Sequence, residues 1–397
     1  MTVLLAGLVW ACVAGGVLLV ALRQFAAHHA ASIASADISA ERPPPGDVAI
    51  VVPVRNEIAN IETCLATLSA QIGLSDRLSI IIVDDESQDG TAAAVARAAQ
   101  ADPRIALIAA GPLPAGWMGK PHACWTGALR AGGEWLCFID ADVRAEPDLL
   151  RAALATAERH GTAMLSLTPF QELGSFWERL IIPAGLMLIA CAMDLRKIDD
   201  PASAEISANG QFLLVRREVY FAVGGHAAVR GEVCEDKALA GRIKRGGWRF
   251  RMLGAERLAR TRMYTDLASL TEGLAKNATE FVGDGFTTVA AGTAGFVIAC
   301  AALLVPVLAI RSLLFGFSVT AAAGAVLALA GSTVVIGMHC GTLHHCRVAP
   351  GYAALFPLAY LAAALLACYS ALLRRQGRVT WKGRQYQVAG KASPGRP

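Results

Sequence analysis

Val48-Ala-Ile-Val-Val-Pro-Val54, closed by Arg55-Asn-Glu57, is the stretch on which the fold turns. A short β-branched run without alternation suits a strand buried on both faces of a parallel sheet. Beyond it, Asn56 is placed to cap a helix whose apolar face is Ile58, Ile61, Leu65 and Leu68. The pattern then repeats. Leu78–Val83 reads as a second strand, stopping at Asp84-Asp85-Glu86-Ser87-Gln88-Asp89-Gly90, and Thr91 opens another helix. Arg104–Ala109 is a third strand ahead of a Gly/Pro-rich loop, and Glu134–Ile139 a fourth. Strand–helix alternation at intervals of about 30 residues predicts βαβ units and a mostly parallel sheet. Ligands of such sheets bind at the carboxyl ends of the strands. That rule singles out Arg55, Glu57, Asp84, Asp85, Asp140 and Asp142.

Outside this region the chain changes character. Of 397 residues, 55% are hydrophobic and 17% charged, which excludes a disordered chain and argues against an ordinary soluble enzyme. The net charge of +4, with no Lys/Arg block, does not suggest a nucleic-acid partner. Ten cysteines without a repeating spacing do not make a disulfide framework. Val3–Leu22, Val289–Ile310, Ser312–Met338 and Tyr352–Leu373 are uncharged and long enough to cross a hydrocarbon core. The expected organisation is an anchor (1–24), an α/β domain (47–286), a cluster of three membrane helices (287–375) and a basic tail (376–397). A cleaved signal peptide is the rival reading of the first segment, since small residues follow it. The lack of a basic n-region and the position of Arg23 favour an uncleaved anchor with the domain in the cytoplasm. Glu41-Arg-Pro-Pro-Pro-Gly46 reads as a stiff spacer. Three crossings would leave the tail outside, whereas Arg374, Arg375, Arg378, Lys382 and Arg384 prefer the inside. Either one C-terminal segment is re-entrant or the tail breaks the charge rule.

The domain lacks the G-x-G-x-x-G fingerprint, a Walker A sequence, His-Glu-x-x-His and Gly-x-Ser-x-Gly, so hydride-transfer, NTPase and hydrolase chemistries lose their usual support. It does carry acidic strand ends. In extended chain, Asp140 and Asp142 point the same way and can face one cation, and hard oxygen ligands suit Mg²⁺ or Mn²⁺. Glu235-Asp236 opens a helix over Lys237–Arg245. These carboxylates favour the helix N-terminus, and Asp236 is also a candidate general base. Asn209-Gly210-Gln211, ahead of the short strand Phe212–Val215, is either a loop at the ligand site or a plain turn. Leu180–Met193 is too short to span comfortably, so residues 178–196 read as an interfacial helix, with a core helix as the alternative. His339-Cys340 and His344-His345-Cys346 match no standard zinc spacing.

Taken together, Pro53-Val-Arg-Asn-Glu57, Val83-Asp-Asp-Glu-Ser-Gln-Asp-Gly-Thr91, Asp140-Ala-Asp142 and Glu235-Asp236 stand in the order found in family 2 glycosyltransferases of the GT-A fold, which this region resembles. Gly116-Trp-Met-Gly-Lys120, Arg262-Met-Tyr264 and Trp381-Lys-Gly-Arg384 resemble the membrane-bound glycosyltransferases associated with hopanoid biosynthesis. Ceramide glucosyltransferases, with the same one-plus-three membrane plan, are a more distant likeness. The resemblance implies a nucleotide-sugar donor, most often a UDP-sugar. Pro53, Arg55, Glu57 and Asp84 would line the nucleoside pocket, with Asp85 beside it and Lys120 near the base or diphosphate. Asp142, helped by Asp140, would hold Mg²⁺ or Mn²⁺ on the diphosphate. Asp236 would deprotonate an acceptor hydroxyl for inverting, in-line attack. The Gln/Arg-x-x-Arg-Trp element of processive synthases and ceramide glucosyltransferases is replaced by Leu274-Ala-Lys-Asn277, which disfavours polymer synthesis. Trp248 and Lys276 are candidates for the acceptor side, although a buried Trp and a solvated Lys are the plainer readings.

The expectation is therefore an inner-membrane glycosyltransferase that joins a cytoplasmic nucleotide-sugar to a lipid hydroxyl at the bilayer, the lipid being a hopanoid or a related one. A polyprenyl-phosphate acceptor is the alternative within the class. A non-catalytic scaffold of a lipid-synthesis complex is the alternative outside it. A transporter has no intramembrane charge to work with.

Overall fold

The structure is a computed structural model that describes residues 1–33, 35–38, 46–282, 285–376, 378–381 and 384–387. Most of the Pro-rich spacer and most of the basic tail lie outside the described residues. The chain opens with α1 (Thr2–Ala30) and a single turn, α2 (Ser35–Ile38). The domain then runs β1 (Val48–Val54), α3 (Ile61–Ser69), β2 (Leu78–Asp84), α4 (Thr91–Ala101), β3 (Ile105–Ala109), α5 (Gly119–Arg130) and β4 (Trp135–Ile139). Next come β5 (Val143–Ala145), α6 (Leu149–Arg159), β6 (Met164–Thr168), β7 (Phe170–Gln171), α7 (Phe176–Ala192) and α8 (Leu195–Ile198). It closes with β8 (Phe212–Arg216), α9 (Arg217–Ala222), α10 (Glu235–Arg245), β9 (Phe250–Gly254), β10 (Ala259–Thr261) and α11 (Leu267–Val282). Three long helices follow, α12 (Gly285–Phe315), α13 (Val319–His345) and α14 (Phe356–Arg375), and then a hairpin of β11 (Arg378–Trp381) and β12 (Arg384–Gln387).

Seven strands form the main sheet in the order β3-β2-β1-β4-β8-β6-β9. The first four are mutually parallel, as their apolar runs predict. β1 is buried because helices cover both faces of the sheet, and Ala49 to Val52 have no exposed surface. α5 lies directly on β1 and β2 because Gly127 has no side chain. A Cβ there would sit 2.4 Å from Val51 Cγ1 and 2.9 Å from Val83 Cγ2. The sheet is nonetheless mixed, since β8 inserts antiparallel to both β4 and β6. An antiparallel strand begins where its parallel neighbours end. Pairing of Phe212 with Ile139 therefore puts the residues just before β8 at the carboxyl end of β4.

One helix start differs from the expectation. Asn56 does not cap α3, which begins at Ile61 behind Asn60, and Ile58 is exposed rather than on the apolar face. Asn56 instead adopts φ 53°, and its main chain and side chain bond to Ser87 and Gln88 of the neighbouring acidic loop. The first polar residues after β1 are thus spent on stitching two loops together.

The four long apolar helices are α1, α12, α13 and the stretch Pro350–Arg375 that contains α14. Small residues set their contacts, as is common where helices meet in lipid. Gly7 faces Gly324, and Gly331 faces Trp10 and Ala11, so α1 and α13 run parallel. Trp10 Nε1 donates to Ser332 Oγ across this seam (3.1 Å). Gly285 meets Ala371, Gly292 meets Ala364 and Gly295 meets Tyr360, so α14 runs antiparallel to α12. α13 and α14 consequently both descend toward the domain. His339, two turns before the end of α13, stacks against Phe356 and Tyr360 at the start of α14 (ring centroids 5.0 and 5.7 Å). The connection through Pro350–Leu355 therefore climbs alongside α13 before α14 returns. This run brings the C-terminal tail to the same side as the domain, which removes the conflict between its basic residues and a third crossing.

α7 is wedged among these helices. Its residues Leu180, Ile181 and Ala184 share a buried cluster with Trp10, Ala299, Ala302, Val335 and Phe356. Its start is fixed by a capping box in which Ser175 and Glu178 exchange hydrogen bonds.

Candidate active site

The acidic motifs at 55–57, 84–89 and 140–142 follow the carboxyl ends of β1, β2 and β4. The loops after β1 and β2 are cross-linked. Arg55 Nη1 donates to the Asp85 main-chain oxygen (2.5 Å), Glu57 N to Thr91 Oγ1 (2.8 Å) and Ile58 N to Asp89 Oδ2 (3.0 Å). The Asp84 carboxylate accepts from Ser87 N (3.3 Å), folding the loop back on the end of β2. Pro53, which precedes Arg55, is half-buried in β1, and Asp85 is only 2% exposed.

The first turn of α5 carries Lys120 to the other acidic loops. Its Nζ lies 2.7 Å from Asp140 Oδ1, 3.0 Å from Asp140 Oδ2 and 3.2 Å from Glu235 Oε1. Asp236 stands beside them in the first turn of α10. Its Oδ2 accepts from Gly210 N and its Oδ1 from Lys237 N, both at 2.7 Å. Asn209-Gly210-Gln211 therefore packs directly on Asp236. A Cβ on Gly210 would come within 3.0 Å of Lys120 Nζ and 3.2 Å of Asp236 Oδ2, so a side chain there would press on both groups. Gln211, almost wholly buried, anchors the loop through Gln171 (3.0 Å) and Thr261 (3.2 Å).

Charge in this cleft is finely balanced. Burial pushes Asp236 up to about 6, and the Glu235 carboxylate adds to the rise. Burial likewise raises Asp140, against the pull of Lys120. Lys120 is held well above the ordinary lysine value because Asp140 and Glu235 outweigh its own desolvation. Glu235 is lowered, since Lys120 and Lys276 overcome the effect of burial. Lys276, on α11, thus comes within electrostatic reach of Glu235. Trp248 is 42% exposed at the Gly246-Gly247 turn, not buried.

Asp142 follows Asp140 across the buried Ala141 in a turn rather than in the extended chain the sequence suggested, and both carboxylates act on the buried Cys64. Among the described residues no group of three or more His, Cys, Asp or Glu side chains is arranged around one cation position. Two carboxylates fit an ion such as Mg²⁺ or Mn²⁺ that takes its other ligands from substrate phosphate and water. Asp142 also reaches toward the helices: burial, and then the Asp142 carboxylate, raise the Tyr264 phenol. The preceding Arg262 pairs with the buried Glu178 of α7 (3.1 and 3.3 Å). The C-terminal hairpin supplies a further guanidinium, with Arg384 Nη1 2.6 Å from Asp85 Oδ2.

A mixed sheet with acidic loops gathered at the carboxyl ends of its parallel half defines a GT-A domain of the nucleotide-diphospho-sugar transferase class. Residues 49–234 match the family model described as Glycosyl transferase family 2. The chain is similar to the 4,4'-diaponeurosporenoate glycosyltransferases of Staphylococcus aureus, at 29% identity over 192 residues in strain MRSA252 and 27% in strain USA300. Each alignment covers 48% of this chain and 49% of the relative, so the chain spans about half the length of the curated relatives it matches. Among solved structures it resembles the mannosyltransferase PcManGT from Pyrobaculum calidifontis, in complex with GDP-Man and Mn2+. That likeness has a TM-score of 0.50 at 18% identity and covers 94% of this chain and 99% of the other.

Proposed function

We propose that the protein transfers a sugar from a nucleotide-sugar, a UDP-sugar in the first instance, to the hydroxyl of a neutral membrane lipid such as a hopanoid, inverting the anomeric carbon. The observation that carries this reading is the convergence of Lys120, Asp140, Glu235 and Asp236 on one cleft, in a family 2 domain joined to four apolar helices. The nucleoside would lie along Pro53, Arg55, Glu57, Asp84 and Asp85. Asp140 and Asp142 would hold a divalent cation, which neutralises charge on the diphosphate as the glycosidic bond breaks. Lys120 keeps its proton at every ordinary pH and adds a fixed positive charge beside that diphosphate. Asp236, held by two main-chain N–H groups, takes the proton of the acceptor hydroxyl as oxygen attacks.

The base assigned to Asp236 favours a neutral acceptor over a polyprenyl phosphate. An alcohol must lose a proton as it attacks and needs the base that Asp236 offers, whereas a phosphate acceptor is already an anion. The bilayer is where such an acceptor dissolves, and the charge rule for Arg23 puts the domain in the cytoplasm, where nucleotide-sugars are made available.

The test uses the full chain in nanodiscs with extracted bacterial lipids and UDP-glucose, UDP-GlcNAc or GDP-mannose. Lipid-dependent release of nucleoside diphosphate, abolished by EDTA and restored by Mn²⁺, is the expected result. If none of the donors is consumed with any lipid fraction, the domain is a scaffold and the proposal fails.

A further inference from the structure

We propose that Arg384 is a positioning residue of the donor pocket, so that the site is completed by the last segment of the chain. It lies beyond three apolar helices in sequence, 299 residues from Asp85. Its Nη1 nonetheless pairs with Asp85 Oδ2 at 2.6 Å, and its Nη2 donates to Glu86 Oε2. Arg55, the neighbouring guanidinium, stands farther from these carboxylates, 3.9 Å from Asp85 Oδ2 and 3.8 Å from Glu86 Oε2. Arg384 is therefore the group that directly neutralises the tip of the β2 loop. Glu86 holds φ 58°, a conformation that non-glycine residues keep where surrounding contacts fix it.

Two further atoms point to a ligand at this place. Asp85 Oδ1 and His122 Nδ1 are both buried, and among the described residues neither has a hydrogen-bond partner. Their side chains are 98% and 92% buried by residue exposure of 2% and 8%. His122 follows Lys120 on the same turn of α5, feels both Asp85 and Arg384, and packs edge-on against Trp117 (5.5 Å). A nucleoside diphosphate brings hydrogen-bonding edges for the first pair and negative charge that two uncompensated carboxylates would repel. Arg384 removes that repulsion and fixes the orientation of Asp85. α14 delivers the hairpin, and β11 packs against α11 and α14, so the helix bundle sets the position of Arg384.

This inference rests on the donor reading given above, and the experiment separates the two. Binding of UDP and of GDP, each with Mn²⁺, is measured by calorimetry on the full chain in nanodiscs. R384A is expected to weaken the nucleotide that wild type binds by tenfold or more, R384K by less, and the double variant D85N/R384A less than R384A alone. Melting temperature should be little changed. In turnover, the donor KM of R384A should rise while kcat and the lipid KM stay within twofold. Wild-type affinity in R384A overturns the proposal and leaves the donor reading standing. Should R384A fail to fold, R384K decides: an unchanged donor KM overturns the proposal and a raised one supports it. If wild type binds neither nucleotide, the donor reading falls and this inference falls with it.

Discussion

Asp236→Asn is the sharpest perturbation of the proposed chemistry. Asn is nearly isosteric, and the two main-chain donors at 2.7 Å, Gly210 N and Lys237 N, give the size of the structural cost. An amide oxygen can serve one of them, while the amide NH₂ faces the other, so about 1 kcal/mol of stability is lost with the second bond. The catalytic cost is larger, because a positioned general base contributes about 10²- to 10⁴-fold, or roughly 3–5 kcal/mol of barrier. The pH dependence gives a second, independent sign. Burial first and Glu235 second raise Asp236 to about 6, and the carboxyl must be ionised to accept a proton. Turnover should therefore be full above that value and fall as pH drops through about 6. Stability runs the other way for this group: a raised carboxyl favours the fold below its unfolded value, and that contribution is lost as pH rises through about 6.

The assay is nucleoside diphosphate release by the full chain in nanodiscs, with the donor and lipid that wild type uses, across a pH range bracketing this value. The variant should be slower by at least a hundredfold and should lack the acid limb. Turnover within tenfold of wild type, or an acid limb that persists in the variant, would refute the assignment of Asp236 as base.

Three further outcomes follow from the packing. K120M leaves Asp140 and Glu235 without their shared ammonium and should cost about 3 kcal/mol, the lower end for a broken buried pair, read as a fall in chemical-denaturation midpoint. G127A pushes a methyl into Val51 and Val83 and should cost about 1–3 kcal/mol by overpacking, seen in thermal melts. G324L forces α1 off α13, where a Cβ would already lie 2.5 Å from Val3 O. It should lower the melting temperature in detergent, whereas the same change at Gly337, with open space around it, should not.

What the sequence made legible was local. β1 to β4 were readable because strands buried on both faces announce themselves as unbroken apolar runs, and Lys120, Asp140 and Asp236 because each sits in a dense motif. Strand direction is not written into burial, so β8 gave no sign that it would run against its neighbours. Asn56 has the composition of a helix cap, yet Ser87 and Gln88 compete successfully for it across the sheet. Lys276 looks solvated in its own segment and acquires meaning only when α11 brings it to Glu235. The partnership of Arg384 with Asp85 is longer in sequence than any periodicity can report. The tail's resemblance motif marked the residue without revealing its partner.

These long-range contacts share a direction: they tie the aqueous cleft to the helices. Lys276 comes from α11, Arg384 from beyond α14, and Glu178 at the head of α7 receives Arg262. Tyr264 makes the closest junction. Its ring shares the buried cluster of Trp10, Leu180, Ile181 and Phe356, while its phenol lies in the field of Asp142. One side chain thus separates a carboxylate of the proposed cation site from the apolar packing of the bundle. A water-soluble donor and a bilayer-dissolved acceptor can react only where their two solvents are brought this close. A domain tethered loosely by a single anchor would have no reason to build its site from residues of the opposite end of the chain.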